Sequence, residues 1–179
     1  SMESNGFPLP RTARKSETLD LCLRSAIFWV KCMHNQKGAG SLFKVAIGQD
    51  SHRFMEGQSD RKLILGGVTI EGCPALMGNS DADVVLHALT NAISGISCVN
   101  ILGSVADELC FKHGITDSKV YVEKALSTLR GQKIVHVSVS IEALRPKLSP
   151  YMERMRESIA KLLDISYNSV GITATSGEG

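Results

Sequence analysis

The fold is decided by the stretch Asn79-Ser80-Asp81-Ala82-Asp83-Val84-Val85-Leu86-His87-Ala88-Leu89, which opens a helix. Ser80 supplies a hydroxyl of the kind preferred at a helix N-cap, and Asp83 places a carboxylate three residues later, as in a capping box. Apolar residues then continue as far as Ile96. We therefore predict an apolar helix that begins after Ser80 and carries His87.

Further strands and helices are predicted on both sides of this helix. In chain order, we predict strands over 44–48, 63–65 and 68–70, a helix capped by Ser118, a strand over 135–141, a helix opened by Ser149-Pro150 and a strand over 170–175. This order predicts an α+β fold, a two-layer sandwich with the helices packed on one face of a mixed sheet.

Residues 1–43 differ in composition from the rest of the chain. Ser1-Met2 is interpreted as a tag remnant, and residues 37–41 (Lys-Gly-Ala-Gly-Ser) have the composition of a linker. Apolar residues between Glu17 and Met33 recur at helical spacing, which predicts one helix there. We therefore divide the chain into a poorly ordered N-terminal extension, 1–43, and a domain over 44–179.

Composition excludes several classes of function. The formal net charge is only +2 and aromatic residues make up 5% of the chain, so we expect no nucleic-acid partner. No apolar run approaches the ~20 residues of a membrane span, so no membrane partner is expected. The five cysteines are odd in number and form no CxxC pair, which favours buried thiols in a reducing compartment over disulfides.

Asp50-Ser51-His52 is a candidate metal-binding motif. The two outer residues point to the same side of an extended chain, so their carboxylate and imidazole converge. His87 is the natural third ligand, and two histidines with one aspartate form a three-ligand zinc site with an open fourth position. The residues alone leave open the alternative that they bind no metal, since such triplets are common and a histidine in an apolar helix is often a core residue.

Five segments resemble, in the same order, motifs of the methylerythritol cyclodiphosphate synthase family. They are residues 48–54 (Gly-Gln-Asp-Ser-His-Arg-Phe), 65–70 (Leu-Gly-Gly-Val-Thr-Ile), 79–89, 145–148 (Arg-Pro-Lys-Leu) and 173–179 (Thr-Ala-Thr-Ser-Gly-Glu-Gly). The resemblance covers residues 44–179, and on it the chain is identified as a member of this family.

The resemblance implies a reaction, two metals and an assembly. The family converts 4-diphosphocytidyl-2-C-methyl-D-erythritol 2-phosphate to 2-C-methyl-D-erythritol 2,4-cyclodiphosphate and CMP, a metal-dependent lyase reaction of the non-mevalonate isoprenoid pathway. It implies that Asp50, His52 and His87 hold Zn²⁺ and that Glu178 holds Mg²⁺ or Mn²⁺. It also implies a homotrimer with a cytidine-diphosphate substrate bound between subunits.

The resemblance further implies which residues contact the substrate. Asn79 and Ser176 are the implied catalytic residues. The implied substrate-binding residues are Ser80, Gly103, Asp107, Glu108, Ala143, Arg145, Pro146, Lys147, Leu148, Thr175 and Ser176. Residues 143–149 are expected to form the cytidine pocket, in which Pro146 stiffens the loop.

The sequence departs from the family pattern at three places. Asn79 stands where the family has a histidine that orients the attacking phosphate, and Ile101 stands where it has an aspartate. The chain stops at Gly179, where relatives continue for about one strand, so we expect a domain truncated at its C-terminus.

These departures keep two other functions in view. One is a non-catalytic, zinc-containing trimeric binder of diphosphates or isoprenoids, and the other is a zinc phosphohydrolase. A bacterial cytoplasmic location is expected, or a plastid-type organelle if residues 1–43 are a targeting peptide.

Overall fold

The computed structural model describes residues 22–34, 42–57 and 59–176. The strands are β1 (Cys22–His34), β2 (Leu42–Arg53), β3 (Leu63–Leu65), β4 (Val68–Ile70), β5 (Gln132–Glu142) and β6 (Val170–Thr175). The helices are α1 (Val84–Ser97), α2 (Ser104–His113), α3 (Ser118–Leu126) and α4 (Met152–Leu163), and a short 3-10 helix spans Tyr167–Ser169.

Four strands form a mixed sheet in the order β2-β1-β5-β6. β1 is antiparallel to both of its neighbours, and β5 is parallel to β6. β3 and β4 form a separate hairpin, whose turn residues Gly66 and Gly67 have φ of 59° and 74°. Two successive residues with positive φ are what a tight two-residue hairpin turn requires, and glycine adopts them without steric cost.

Three helices form a layer against this sheet. α1 contacts β2 and β1, α4 contacts β6, and α3 contacts both α1 and α4. α1 lies so close to β2 that a Cβ at Gly48 would collide with the Ala88 carbonyl oxygen and the Ala92 backbone. Fully buried residues between the layers include Leu86, Leu89 and Ile93 of α1 and Val137, Val139 and Ile141 of β5. The mixed α/β fold predicted from the sequence is confirmed.

The outer face of β2 is apolar and exposed. Phe43, Val45 and Ile47 alternate along this strand and are 61%, 46% and 54% exposed, respectively. Alternation puts them on the sheet face opposite Gly48, which faces α1. A run of large apolar side chains on an open sheet face is typical of a surface covered by another chain.

The helix predicted between Glu17 and Met33 is wrong over the described residues. Cys22–His34 form β1, which pairs with β2 on one side and β5 on the other. The segment has apolar residues at helical spacing but is also rich in β-branched and aromatic residues, which favour strands. It forms a strand because both of its edges pair with neighbouring strands. Residues 1–21 and 35–41 lie outside the described residues, as do the tag remnant and the linker, and the division of the chain at residue 43 stays a prediction.

Smaller differences concern helix boundaries. α1 is capped by Asp83 rather than Ser80, and α3 by Asp117 rather than Ser118. The third predicted helix begins at Met152, two residues after the proline expected to open it. α2 was not expected from the sequence, and it ends at His113. Among the described residues, no helix combines the length and apolar character that crossing a membrane requires.

Candidate metal centre

Three side chains from β2 and α1 converge on one point. The Asp50 Oδ2 atom lies 3.0 Å from His52 Nε2 and 3.0 Å from His87 Nδ1, and the two ring nitrogens are 3.3 Å apart. Asp50 and His52 are partly buried, and His87 is 8% exposed. The structure therefore brings together the three residues that the sequence predicted as metal ligands.

Local structure explains why they meet. Asp50 and His52 are two residues apart near the end of β2, so both side chains leave the strand on the same side. His87 lies in the first turn of α1, whose backbone passes directly over Gly48 of β2. The close approach of strand and helix puts the imidazole within reach of the carboxylate.

The arrangement fits a tetrahedral metal ion. Metal–nitrogen and metal–oxygen bonds of about 2.0–2.1 Å place the ligand atoms of a tetrahedral zinc site about 3.3 Å apart. The three observed separations are 3.0, 3.0 and 3.3 Å. One carboxylate and two imidazoles leave the fourth position open, as in catalytic rather than structural zinc sites.

Electrostatics at the triad favour a bound cation. Burial alone would raise the pKa of Asp50, but hydrogen bonds and positive charge from His52 and His87 outweigh it and hold that pKa well below its usual range. The hydrogen bond to Asp50 raises the pKa of His52, while burial opposes that shift. The carboxylate is therefore ionised, and a negative charge between two imidazoles attracts a cation.

The other side of the His87 ring faces two serines. Its Nε2 atom lies 2.9 Å from Ser118 Oγ and 3.3 Å from Ser80 Oγ. The Ser118 hydroxyl in turn donates a hydrogen bond to Asp81 Oδ1. Sequence reasoning treated Ser118 only as a helix cap, and no local pattern could link it to a histidine 31 residues away.

Asp83 fixes the start of α1 against the β3–β4 hairpin. This side chain is fully buried, and its carboxylate accepts hydrogen bonds from the N–H groups of Gly66, Gly67, Val85 and Leu86 at 2.6–3.1 Å. Burial raises the pKa of Asp83 to about 6, the backbone N–H donors oppose that rise, and the charge of Asp81 adds to it. Asp83 thus holds the helix end that carries His87, whose N–H donates to the Asp83 backbone carbonyl oxygen at 2.9 Å.

The loop with Asn79 runs beside the triad. A Cβ on Gly78 would lie 3.5 Å from the His52 ring. Arg61 donates hydrogen bonds to the carbonyl oxygens of Gly78, at 2.8 Å, and of Ser80. The Asn79 side chain is exposed, and the Asn79 backbone carbonyl oxygen accepts from the Cys110 thiol at 3.3 Å. Arg61 was not singled out from the sequence, and it fixes both residues that flank Asn79.

The expected cytidine loop lies at the ends of β5 and β6. Ala143 and Leu148 are buried, Arg145 and Lys147 are exposed, and Pro146 follows a cis peptide bond. The Ala143 N–H donates to the Thr175 carbonyl oxygen at 2.9 Å. That bond joins this loop to Thr175 and Ser176, which are exposed. Glu178 lies outside the described residues.

The remaining predicted substrate contacts lie at the start of α2. Gly103 caps this helix with φ of 103°, and its carbonyl oxygen accepts from the Asp107 N–H. Asp107 and Glu108 are exposed, and Glu108 forms an ion pair with Lys112 at 2.9 Å. Ile101, in contrast, is 2% exposed and belongs to the core.

Comparison with known proteins relates this geometry to a family. The YgbB family model matches residues 43–179. The chain is 52% identical over 139 residues to 2-C-methyl-D-erythritol 2,4-cyclodiphosphate synthase of Chlamydia felis, a match covering 77% of this chain and 79% of that protein.

Two solved structures are also similar. The bifunctional IspDF from Campylobacter jejuni matches with a TM-score of 0.63 and 25% identity, over 84% of this chain and 37% of that one. A 2C-methyl-D-erythritol-2,4-cyclodiphosphate synthase in its CDP-bound form matches with a TM-score of 0.61 and 28% identity, over 73% and 87%. The chain therefore belongs to the YgbB family, the family of the 2-C-methyl-D-erythritol 2,4-cyclodiphosphate synthases.

Proposed function

We propose that this chain is a lyase that converts 4-diphosphocytidyl-2-C-methyl-D-erythritol 2-phosphate to 2-C-methyl-D-erythritol 2,4-cyclodiphosphate and CMP. The observation that carries the proposal is the cluster of Asp50, His52 and His87, three ligand atoms within 3.3 Å of one another in a chain of this family. The reaction belongs to isoprenoid biosynthesis by the non-mevalonate pathway.

The donor set suits Zn²⁺, since two imidazole nitrogens and one carboxylate oxygen are typical ligands of catalytic zinc. When bound, the ion supplies Lewis acidity that polarises a phosphate oxygen and fixes the diphosphate for attack. We propose Glu178, outside the described residues, as a ligand for a second ion, Mg²⁺ or Mn²⁺, because hard carboxylate oxygens suit both.

The reaction needs no protein nucleophile. An oxygen of the substrate's 2-phosphate forms a new bond to the β-phosphorus. The bond from that phosphorus to the oxygen of CMP breaks, and CMP leaves with the electron pair on this oxygen. The protein's contribution is then to position groups and to stabilise charge. We assign the exposed amide of Asn79 to donate a hydrogen bond to the attacking phosphate, and the Ser176 hydroxyl to donate to the diphosphate.

Other residues are proposed to hold the two ends of the substrate. The loop of Ala143 to Leu148 is joined to Thr175 by a backbone hydrogen bond, and we assign it to the cytidine, with the cations of Arg145 and Lys147 at its phosphates. CDP is the ligand of one structurally similar synthase, which supports this assignment. Ser80, Gly103, Asp107 and Glu108 are assigned to the methylerythritol phosphate end.

Strand order supports a homotrimer with shared sites. The triad lies near the end of β2 and Thr175 at the end of β6, at the same end of the strands but on the two opposite edge strands of the sheet. β1 and β5 separate them, so three spacings of about 4.8 Å give roughly 14 Å. This separation favours a site in which a neighbouring copy supplies the cytidine loop, and the apolar row of Phe43, Val45 and Ile47 offers a surface for that copy.

Product analysis tests the proposed reaction. Incubation of the zinc-loaded protein with substrate should yield the cyclic diphosphate and CMP in equal amounts by ³¹P NMR, and a chelator should stop the reaction until zinc is restored. A linear diphosphate or free phosphate would identify a phosphohydrolase instead. Tight cytidine binding without release of CMP would identify a non-catalytic binder of diphosphates or isoprenoids.

A cytoplasmic location in a bacterium is proposed from the chlamydial relatives. A plastid-type organelle is the alternative, with residues 1–43 as the targeting peptide. A fluorescent protein fused to residues 1–43 distinguishes the two, because only a targeting peptide moves the fusion into the organelle.

A further inference from the structure

We propose that Ser118, held by Asp81, accepts the Nε2–H of His87 and thereby orients the ring with Nδ1 at the metal position. The inference rests on the proposed function only in naming the ion that Nδ1 binds. Its geometric basis is a chain of two hydrogen bonds, from the His87 ring to Ser118 and from Ser118 to Asp81. We call these two residues the Ser118–Asp81 pair.

The direction of the hydrogen bonds follows from the groups involved. A carboxylate only accepts, so the Ser118 hydroxyl must donate its single proton to Asp81 Oδ1. The Ser118 oxygen, 2.9 Å from His87 Nε2, then has only lone pairs to offer to the ring. The favourable partner is an Nε2–H, and a neutral imidazole protonated there carries its lone pair on Nδ1.

Asp81 is held in place for this role. Its carboxylate also accepts the Ser118 N–H at 3.1 Å and the Asp83 N–H at 3.1 Å, while its own N–H donates to the Thr116 carbonyl oxygen at 2.8 Å. Ser118 is fully buried. These contacts join the start of α3 to the loop before α1, so the acceptor for Nε2–H has a fixed position.

The opposite tautomer would need a different donor to Nε2. Ser80 is the one candidate among the described contacts of that atom, at 3.3 Å against 2.9 Å for Ser118. On the other side of the ring, His87 Nδ1 lies 3.0 Å from Asp50 Oδ2 and 3.3 Å from His52 Nε2, the other two ligand atoms of the triad. Ser118 therefore favours an Nε2–H on His87, and the Nδ1 lone pair serves an ion held among these three atoms.

Partners of this kind orient metal-binding histidines, and their loss typically weakens metal binding about 10–100-fold. Ser118→Ala should weaken zinc binding by roughly that factor, measured by competition with a chromophoric chelator at pH 7.5. Ser118→Thr, which keeps the hydroxyl, should stay within about three-fold of the wild type. Ser127→Ala is the matched control, because Ser127 follows the other end of α3 and its hydroxyl donates only to the Lys124 carbonyl oxygen.

A second measurement reports the hydrogen bond from His87 Nε2–H to Ser118. In ¹H–¹⁵N spectra of the zinc-loaded, histidine-labelled protein, the His87 Nε2–H should exchange slowly with solvent, and Ser118→Ala should lose this slow exchange. A wild-type Nε2–H that exchanges as fast as that of the variant would overturn the inference, and so would unchanged zinc affinity in a folded Ser118→Ala protein. If the wild type binds no zinc, the proposed metal site is refuted, and the same exchange comparison on metal-free protein still tests the pair.

Discussion

Removal of the Asp83 carboxylate should destabilise the protein in a way that depends on pH. The fully buried side chain accepts four backbone N–H groups, two in the first turn of α1 and two in the β3–β4 turn. Loss of a helix cap costs about 1 kcal/mol, and each buried N–H left without an acceptor costs about 1–2 kcal/mol. Asp83→Ala should therefore lower the free energy of unfolding by about 3–5 kcal/mol at pH 7.5.

The sign of the pH dependence follows from the raised pKa. Asp83 has a pKa of about 6 in the folded protein against 3.8 for the free side chain. Between these two pH values the folded state holds a proton that the unfolded state has lost. The contribution of Asp83 to stability therefore falls as the pH rises through the folded-state pKa. Linkage gives a decrease of about 1 kcal/mol between pH 5 and pH 7.5, so Asp83→Ala should be more destabilising at pH 5.

Urea denaturation of metal-free wild-type and variant proteins, at one protein concentration and both pH values, measures these differences. Asp117→Ala is the control, since Asp117 is an exposed cap that accepts one N–H of α3 and should cost about 1 kcal/mol. A destabilisation no larger than that of the control would refute the role of Asp83 in holding α1 against the β3–β4 hairpin. A decrease in unfolding free energy that is greater at pH 7.5 than at pH 5 would show that the N–H donors lower the pKa of Asp83 more than burial raises it.

The further predictions concern the metal, the assembly and the departures at Asn79 and Ile101. His87→Ala should lose the single zinc ion per chain in elemental analysis, because two ligands rarely hold zinc, whereas His113→Ala at the exposed end of α2 should keep it. Ile47→Lys should convert a trimer of three times 19.3 kDa to monomers by light scattering, since it places a charge on the exposed apolar face of β2; a wild-type monomer would contradict the assembly. Asn79→His should raise turnover about ten-fold through one charge-assisted hydrogen bond. Ile101→Asp should unfold the protein rather than restore a substrate contact, because Ile101 is 2% exposed.

The sequence was informative where the decisive contacts are local. Alternation over 135–141 predicted β5, and the spacing of Asp50 and His52 predicted two side chains on one side of a strand. His87 was placed by the resemblance, with no spacing argument strong enough by itself. The strand pattern and the Asp50–His52 spacing depend on residues that are close in sequence, so the sequence pattern alone predicts them.

The misses come from contacts between distant segments. β1 was expected as a helix, and its pairing with β5, over 100 residues later, decides its conformation. Asp83 takes the cap position in place of Ser80 because its carboxylate also bonds Gly66 and Gly67 of a separate hairpin. The contact of Ser118 with His87 likewise spans 31 residues. No periodicity or capping rule contains this information.

The close approach at Gly48 has a consequence for the abundance of the protein in a cell. Strand and helix touch there through backbone alone, and an ion bound by Asp50, His52 and His87 would cross-link the same two elements a few residues further on. A ligand that binds only the folded state adds about 2.7 kcal/mol at a concentration 100 times its Kd. Zinc supply would thereby control how often the chain opens to proteases, and metal starvation would remove the enzyme as well as its activity.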